Sequence, residues 1–232
     1  MKRSFAMVLL VFLPILVLVK PIYVYGESDP DLSSLSQELY AAVISKKKQS
    51  EKLANVKKLV ELGANVNFVN VSAQQLENSV LSAAVNTKSF KLVEFLLEAG
   101  ANPNPVHIYG CTPIGSAIID ANHEIITFLI MKGAGLSQPA CYVKSGNNFS
   151  AFRTLLISKY VEDDTRLLAI ENFATQQAAW QAEDLLRMIA KQKFEVAKRM
   201  LELRPEITDK TTIKVIRKSS SEKIRSLLDY VK

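Results

Sequence analysis

Cysteine is scarce in this chain of 232 residues, which has two, Cys111 and Cys141. Folds built on disulfides are cysteine-dense, so a scaffold of that kind is excluded. The two cysteines do not stand at a zinc-site spacing from each other, so a structural metal has no support. A single bond between the two in an oxidising compartment stays open, because its geometry is not readable from sequence. Histidine is equally sparse, with only His107 and His123. A glycine-rich phosphate loop, a G-x-S-x-G turn and an H-E-x-x-H helix are all missing. Catalysis needs convergent reactive groups, and none are brought together here; no catalytic, cofactor-binding or metal-binding residue is assigned, and no enzyme is expected.

Concentrated charge is lacking as well. Lysine and arginine number 29 against 23 acids, a formal net charge of +6. Lys2, Arg3 and Lys20 fall within the first 26 residues with no acid beside them, so the rest of the chain carries only +3, 26 against 23. That surplus is too weak and too dispersed for nucleic acid, whose binders show concentrated basic faces. The longest basic run, Lys46-Lys47-Lys48, lies at an expected helix end, where lysines complement the helix dipole. Glu162-Asp163-Asp164 stands where a helix should begin, and acids are stabilised there for the same reason.

Long apolar runs are limited to one, the 15 residues Phe5–Val19. It follows a basic start and precedes Val24-Tyr25-Gly26, the layout of a secretory signal peptide over residues 1–26. The run is shorter than the roughly 18–20 residues of a spanning helix, and Pro14 would kink it. Export to the periplasm, or secretion beyond it, is therefore expected. Retention of the segment would instead leave a membrane anchor.

What the chain does have is repetition. Val60-Glu61-Leu62-Gly63-Ala64-Asn65-Val66-Asn67 recurs as Leu96-Leu97-Glu98-Ala99-Gly100-Ala101-Asn102-Pro103-Asn104, and in worn form as Phe128–Gly135. Gly63 and Gly100 are 37 residues apart, and Gly100 and Gly133 are 33 apart. Such a period marks stacked supersecondary units, none able to bury its apolar face alone. In the middle copy the pattern predicts helices over 78–85 and 90–99, the second with Leu92, Val93, Leu96 and Leu97 as its apolar stripe. Gly100 then sits where a left-handed residue ends a helix. In the third copy Thr112 should cap a helix with Pro113 at its first position.

These residues resemble the ankyrin repeat family. Gly110-Cys111-Thr112-Pro113-Ile114 is similar to its G-x-T-P-L opening, Asn122-His123-Glu124-Ile125-Ile126 to its G-H-x-x-V-V turn, and Gly100–Asn104 to its G-A-D-V-N exit. The match is specific over about residues 50–136, with residues 35–48 supplying the first helix of the opening repeat. The resemblance implies an all-α fold, an ankyrin-type helical repeat solenoid with degenerate helical hairpins at the C-terminus. Its parts are a signal peptide at 1–26, ankyrin repeats at 27–137, and degenerate repeats forming a C-terminal cap at 138–232. Residues 138–148 read as a polar connector, 149–161 and 165–174 as helices, and 184–203 and 211–231 as two helical hairpins. Ser82 and Gly115 replace the histidine usual in the first helix, which implies loss of its hydrogen bond between neighbouring repeats. His123 falls at the turn position where the family keeps a histidine for local hydrogen bonds.

The resemblance also implies a non-catalytic protein-binding module, with partners held by loop tips and by the concave face of the first helices. Carried over position by position, the tips are Phe68-Val69-Asn70-Val71, Val106-His107-Ile108-Tyr109 and Cys141-Tyr142-Val143. Apolar residues on a solvent-facing tip suggest a covered surface, and tyrosine favours interface centres. The partner-binding candidates are Phe68, Val69, Val71, Val106, His107, Ile108, Tyr109 and Tyr142. Folding of the loop at Ser72–Leu76 over this ridge is the alternative. Trp180 reads as a core filler between the array and the C-terminal hairpins. With its leader, the chain looks like the periplasmic ankyrin proteins of Gram-negative bacteria. That likeness implies an exported protein partner, and no nucleic acid, small-molecule substrate or cofactor. Narrower alternatives are an immunity protein neutralising a secreted lipase-type toxin and an effector delivered to a host cell. An enzyme with its site in 138–183 would have to use Lys144, Arg153, Lys159, Tyr160, Glu162, Asp163, Asp164 and Arg166.

Overall fold

The computed structural model describes residues 30–73, 77–105, 110–142, 149–175, 180–204 and 209–231. The leader expected at 1–26 lies outside them. Among the described residues twelve α-helices follow one another in pairs: α1 (Pro30–Ile44) and α2 (Gln49–Glu61), α3 (Val80–Asn86) and α4 (Phe90–Glu98), α5 (Pro113–Ile119) and α6 (His123–Met131). Three further pairs are α7 (Ala151–Ile157) and α8 (Asp163–Thr175), α9 (Ala182–Ala190) and α10 (Phe194–Leu203), and α11 (Lys210–Lys218) and α12 (Glu222–Arg225). The last continues into a 3₁₀ turn, Ser226–Tyr230. First helices pack in series, α1 on α3, α3 on α5, and so on to α9 on α11. Second helices do the same from α4 through α6, α8 and α10 to the 3₁₀ turn. One buried cluster runs from Leu39 in the first pair to Leu227 in the last. The molecule is an all-α repeat solenoid, and none of its described helices is long and apolar enough to cross a membrane.

The three marker glycines end α2, α4 and α6 in the same way. Gly63, Gly100 and Gly133 have φ of 98°, 91° and 84°. After each, an alanine N–H turns back to a carbonyl in the last helical turn: Ala64 to Leu59 at 3.0 Å, Ala101 to Leu96 at 2.9 Å, Ala134 to Leu129 at 2.9 Å. This closure satisfies carbonyls that the helix end would leave bare, and it needs the left-handed residue that glycine supplies without steric cost. The expected caps form too. Thr112 accepts from the Gly115 N–H with Pro113 opening α5. In the second layer Ser79 caps at 3.0 Å from the Ser82 N–H, so α3 starts at Val80 rather than at Asn78.

In the third layer the turn inside the pair falls one residue before the expected 122–124. Ala121, not Asn122, takes the left-handed conformation at φ 50°, and Asn122 caps α6 by accepting from the Ile125 N–H. His123 is therefore the first residue of α6 instead of a turn residue. Lys88 and Gln192 hold the matching place in their own pairs, at φ 59° and 57°. The shared turn ties the α9–α10 hairpin to the same architecture, although its sequence markers are worn away.

Like α1–α2 and α11–α12, the α7–α8 pair lacks this left-handed turn. Its connection, Ser158 to Glu162, has no left-handed residue, and the end of α7 is satisfied by side chains. Arg166, 1 % exposed, donates from Nε to the Leu156 carbonyl at 3.2 Å and from its other nitrogens to the Ser158 carbonyl and the Asp163 carboxylate. Lys191 donates to the Ile157 carbonyl from the next layer. Partial burial, with Arg166, Lys193 and Arg187 nearby, lowers the Lys191 pKa. Trp180 is buried where the array meets the C-terminal hairpins, stacked on Phe152 and Phe173 with centroids at 6.1 and 6.5 Å.

Candidate protein-binding surface

Extended connections project between the layers. β1 (Val69–Val71) pairs antiparallel with β2 (Glu77–Ser79), placing Val69 opposite Ser79 and Val71 opposite Glu77. β3 (Gly110–Cys111) pairs antiparallel with β4 (Cys141–Tyr142). The stretch expected as a plain connector, 138–148, thus supplies a strand. Cys111 and Cys141 stand directly opposite each other, Cα atoms 3.9 Å apart, and are joined by a disulfide.

Polar contacts carry these connections from layer to layer. The Asn67 amide accepts from the Asn102 N–H at 2.7 Å and donates to the Gly100 carbonyl at 3.2 Å. One layer on, Asn104 accepts from the Gly135 N–H and donates to the Gly133 carbonyl at 2.9 Å. The third copy has Ser137 in place of this asparagine, and the series stops.

The inter-repeat bond expected to be lost is kept in other forms. The Ser82 hydroxyl donates to the Cys111 carbonyl of the next layer at 3.2 Å. In the third layer the Thr112 N–H and hydroxyl both donate to the Ala140 carbonyl at 3.0 Å. That carbonyl lies 1.9 Å from where a Cβ on residue 115 would sit, so only glycine fits.

Of the candidate partner residues, Val106, His107, Ile108 and Tyr109 lie outside the described residues, as does the tip residue Val143. Tyr142 belongs to β4, beside the disulfide. Val71 is 59 % exposed, and Val69 is half-buried in its strand. Phe68 turns inward: it packs against the core and meets Tyr40 edge-on at 6.5 Å. At α3 and α5 the concave helix face is not open as expected. Every residue of α3 except Asn86, and every residue of α5 except Ile119, is buried. Ile119, 61 % exposed at the end of α5, was missed by sequence reasoning. Its signal was that it falls outside the Ile114, Ala117, Ile118 stripe.

Of the polar candidates in 138–183, Lys144 lies outside the described residues, and several of the rest form ion pairs within and between layers. The Glu162 N–H donates to His123 Nδ1 at 3.4 Å, and Asp163 and Asp164 open α8 as expected. Asp163 pairs with Arg166 and Lys193, and Arg153 pairs with Glu183 and Asp184 across α7 and α9. Hydrogen bonds from Arg187 and Arg153 lower the Glu183 pKa, and one from Arg199 lowers that of Glu171. Among the described residues, no group of three His, Cys, Asp or Glu side chains is placed to hold a metal ion.

A line of stacked helical pairs, joined in part through extended connections, defines a repeat scaffold for holding another protein. Residues 39–140 match the ankyrin repeat family in three copies. Over that stretch the chain carries ankyrin repeats, and ankyrin repeats are interaction modules, typically without catalysis. No curated protein matches the chain.

Proposed function

We propose that the chain is exported to the cell envelope and holds a specific exported protein there, without catalysing a reaction. The observation that carries this reading is the continuous stack of layers, whose connections project an apolar tip at Val71. By the sequence reading, Val106, Ile108, Tyr109 and Tyr142 join Val71 in holding the partner, tyrosine being of the kind that dominates interface energetics. Two features support export. One is the basic, apolar and small-residue sequence of 1–26. The other is the Cys111–Cys141 disulfide, a bond that persists in oxidising compartments and is rare in the cytosol. An immunity protein that neutralises a secreted lipase-type toxin is one form this activity would take.

Affinity capture from periplasmic extract tests the proposal. The wild-type chain should recover one exported protein, and Val71→Asp combined with Tyr109→Ala should lose it while helical circular dichroism stays unchanged. Loss of helical signal in that variant would assign the tips to the core. Recovery of no specific protein, or fractionation of the chain to a host cytosol, would overturn the reading.

A further inference from the structure

The opening layer of the stack has no described layer before it, and its outer surface carries apolar residues among the polar ones. The outward stripes of α1 and α2 enclose a groove of about 510 Å³, whose lining includes Leu35, Ala42, Leu59 and Leu62 together with Glu38 and Lys58. Leu35 to Glu38 to Ala42 follows helical spacing on α1, as Lys58 and Leu59 to Leu62 does on α2. Leu62 is 56 % exposed, and Leu32, 41 % exposed, flanks it near Gly63. The far end of the stack is different. There α11 and α12 expose Lys210, Lys214, Arg217, Lys218 and Lys223, the polar outer face that a finite solenoid requires. Among the described residues, one end is capped and the other is not.

We propose that the uncapped end binds a second copy of this chain, head to head. The groove carries both signs of charge on opposite walls, Glu38 on α1 and Lys58 on α2, while Lys47, which also lines it, is paired with Glu51. A two-fold axis running along the groove lays α1 of one copy over α2 of the other. Each Glu38 then faces the Lys58 side of its partner, and the apolar stripes meet between them. Self-complementarity of this kind is what an isologous interface demands. Pairing through the other end would oppose two lysine-rich surfaces.

Sedimentation velocity of the purified, processed chain over about 1–100 µM tests the assignment. A dimer is expected. Leu62→Asp and Glu38→Lys should each weaken it at least about tenfold, with circular dichroism unchanged because both positions are exposed. Adding Lys58→Glu to Glu38→Lys should restore the dimer, which a merely structural defect would not allow. A chain monomeric throughout this range, or a dimer indifferent to these substitutions, overturns the proposal. Dimerisation that disappears whenever residues 1–26 are retained also overturns it, because the groove would then belong to that segment.

Discussion

Gly115 shows how strictly one position is fixed by the backbone that faces it. The Ala140 carbonyl approaches so closely that a Cβ at 115 would lie 1.9 Å from it. Restoring the family's usual histidine there should therefore destabilise the protein, by roughly 2 kcal/mol or more, since overpacked cores must shift backbone to relax. Urea denaturation of Gly115→His would measure it, and a midpoint at or above wild type would refute the argument. At Ser82 a hydroxyl instead of an imidazole bridges the layers. Sequence alone read both positions as lost bonds. Whether a short side chain reaches the next layer depends on a spacing that no residue type encodes.

At the scale of the element, helices and their caps were largely legible, because periodicity, Thr112-Pro113 and the marker glycines act locally. The inter-helix turns were less so. Lys88, Ala121 and Gln192 adopt left-handed backbone without being glycine, so composition gave no signal and the turn of the third layer was placed one residue late. The irregular α7–α8 connection rests on Arg166. Arg166→Met would leave the Leu156 and Ser158 carbonyls without their donor, at a cost of roughly 3 kcal/mol. Lysine should rescue it poorly, because one ammonium cannot copy the guanidinium fork; thermal melts of both variants would decide.

Between α8 and α10, the Arg199 hydrogen bonds hold the Glu171 carboxyl below its ordinary 4.5. A carboxylate depressed in the folded state contributes its stability above the unfolded value and loses it as pH falls through the folded value. Urea midpoints should thus decline as pH drops below about 4.5. Glu171→Gln should flatten that decline, and an equal slope in both proteins would sink the idea.

The whole molecule was legible as an array because its period recurs along the chain. The partner surface was not. The sequence placed the contact on tips and an open concave face, whereas Phe68 joins the core and α3 and α5 are buried almost throughout. Apolar residues on an extended connection look alike whether they face solvent or fold back. The disulfide was open in the sequence for a related reason, since residues 30 apart meet only once layers stack. Closing a loop of that length should stabilise the fold by roughly 3–4 kcal/mol. Reductant should lower the urea midpoint of the wild type and leave a Cys111→Ser, Cys141→Ser double variant unmoved.

That same bond governs how the protein responds to force. Layers that touch only their neighbours give way one after another when the ends are drawn apart, but the segment between the two cysteines is short-circuited and transmits tension without lengthening. A single molecule stretched under oxidising conditions should stop about 100 Å short of its reduced length, 30 residues at roughly 3.3–3.6 Å each. The hidden length spans the seam between the third and fourth layers, so a pulling load would reach the tail hairpins with that seam still stitched.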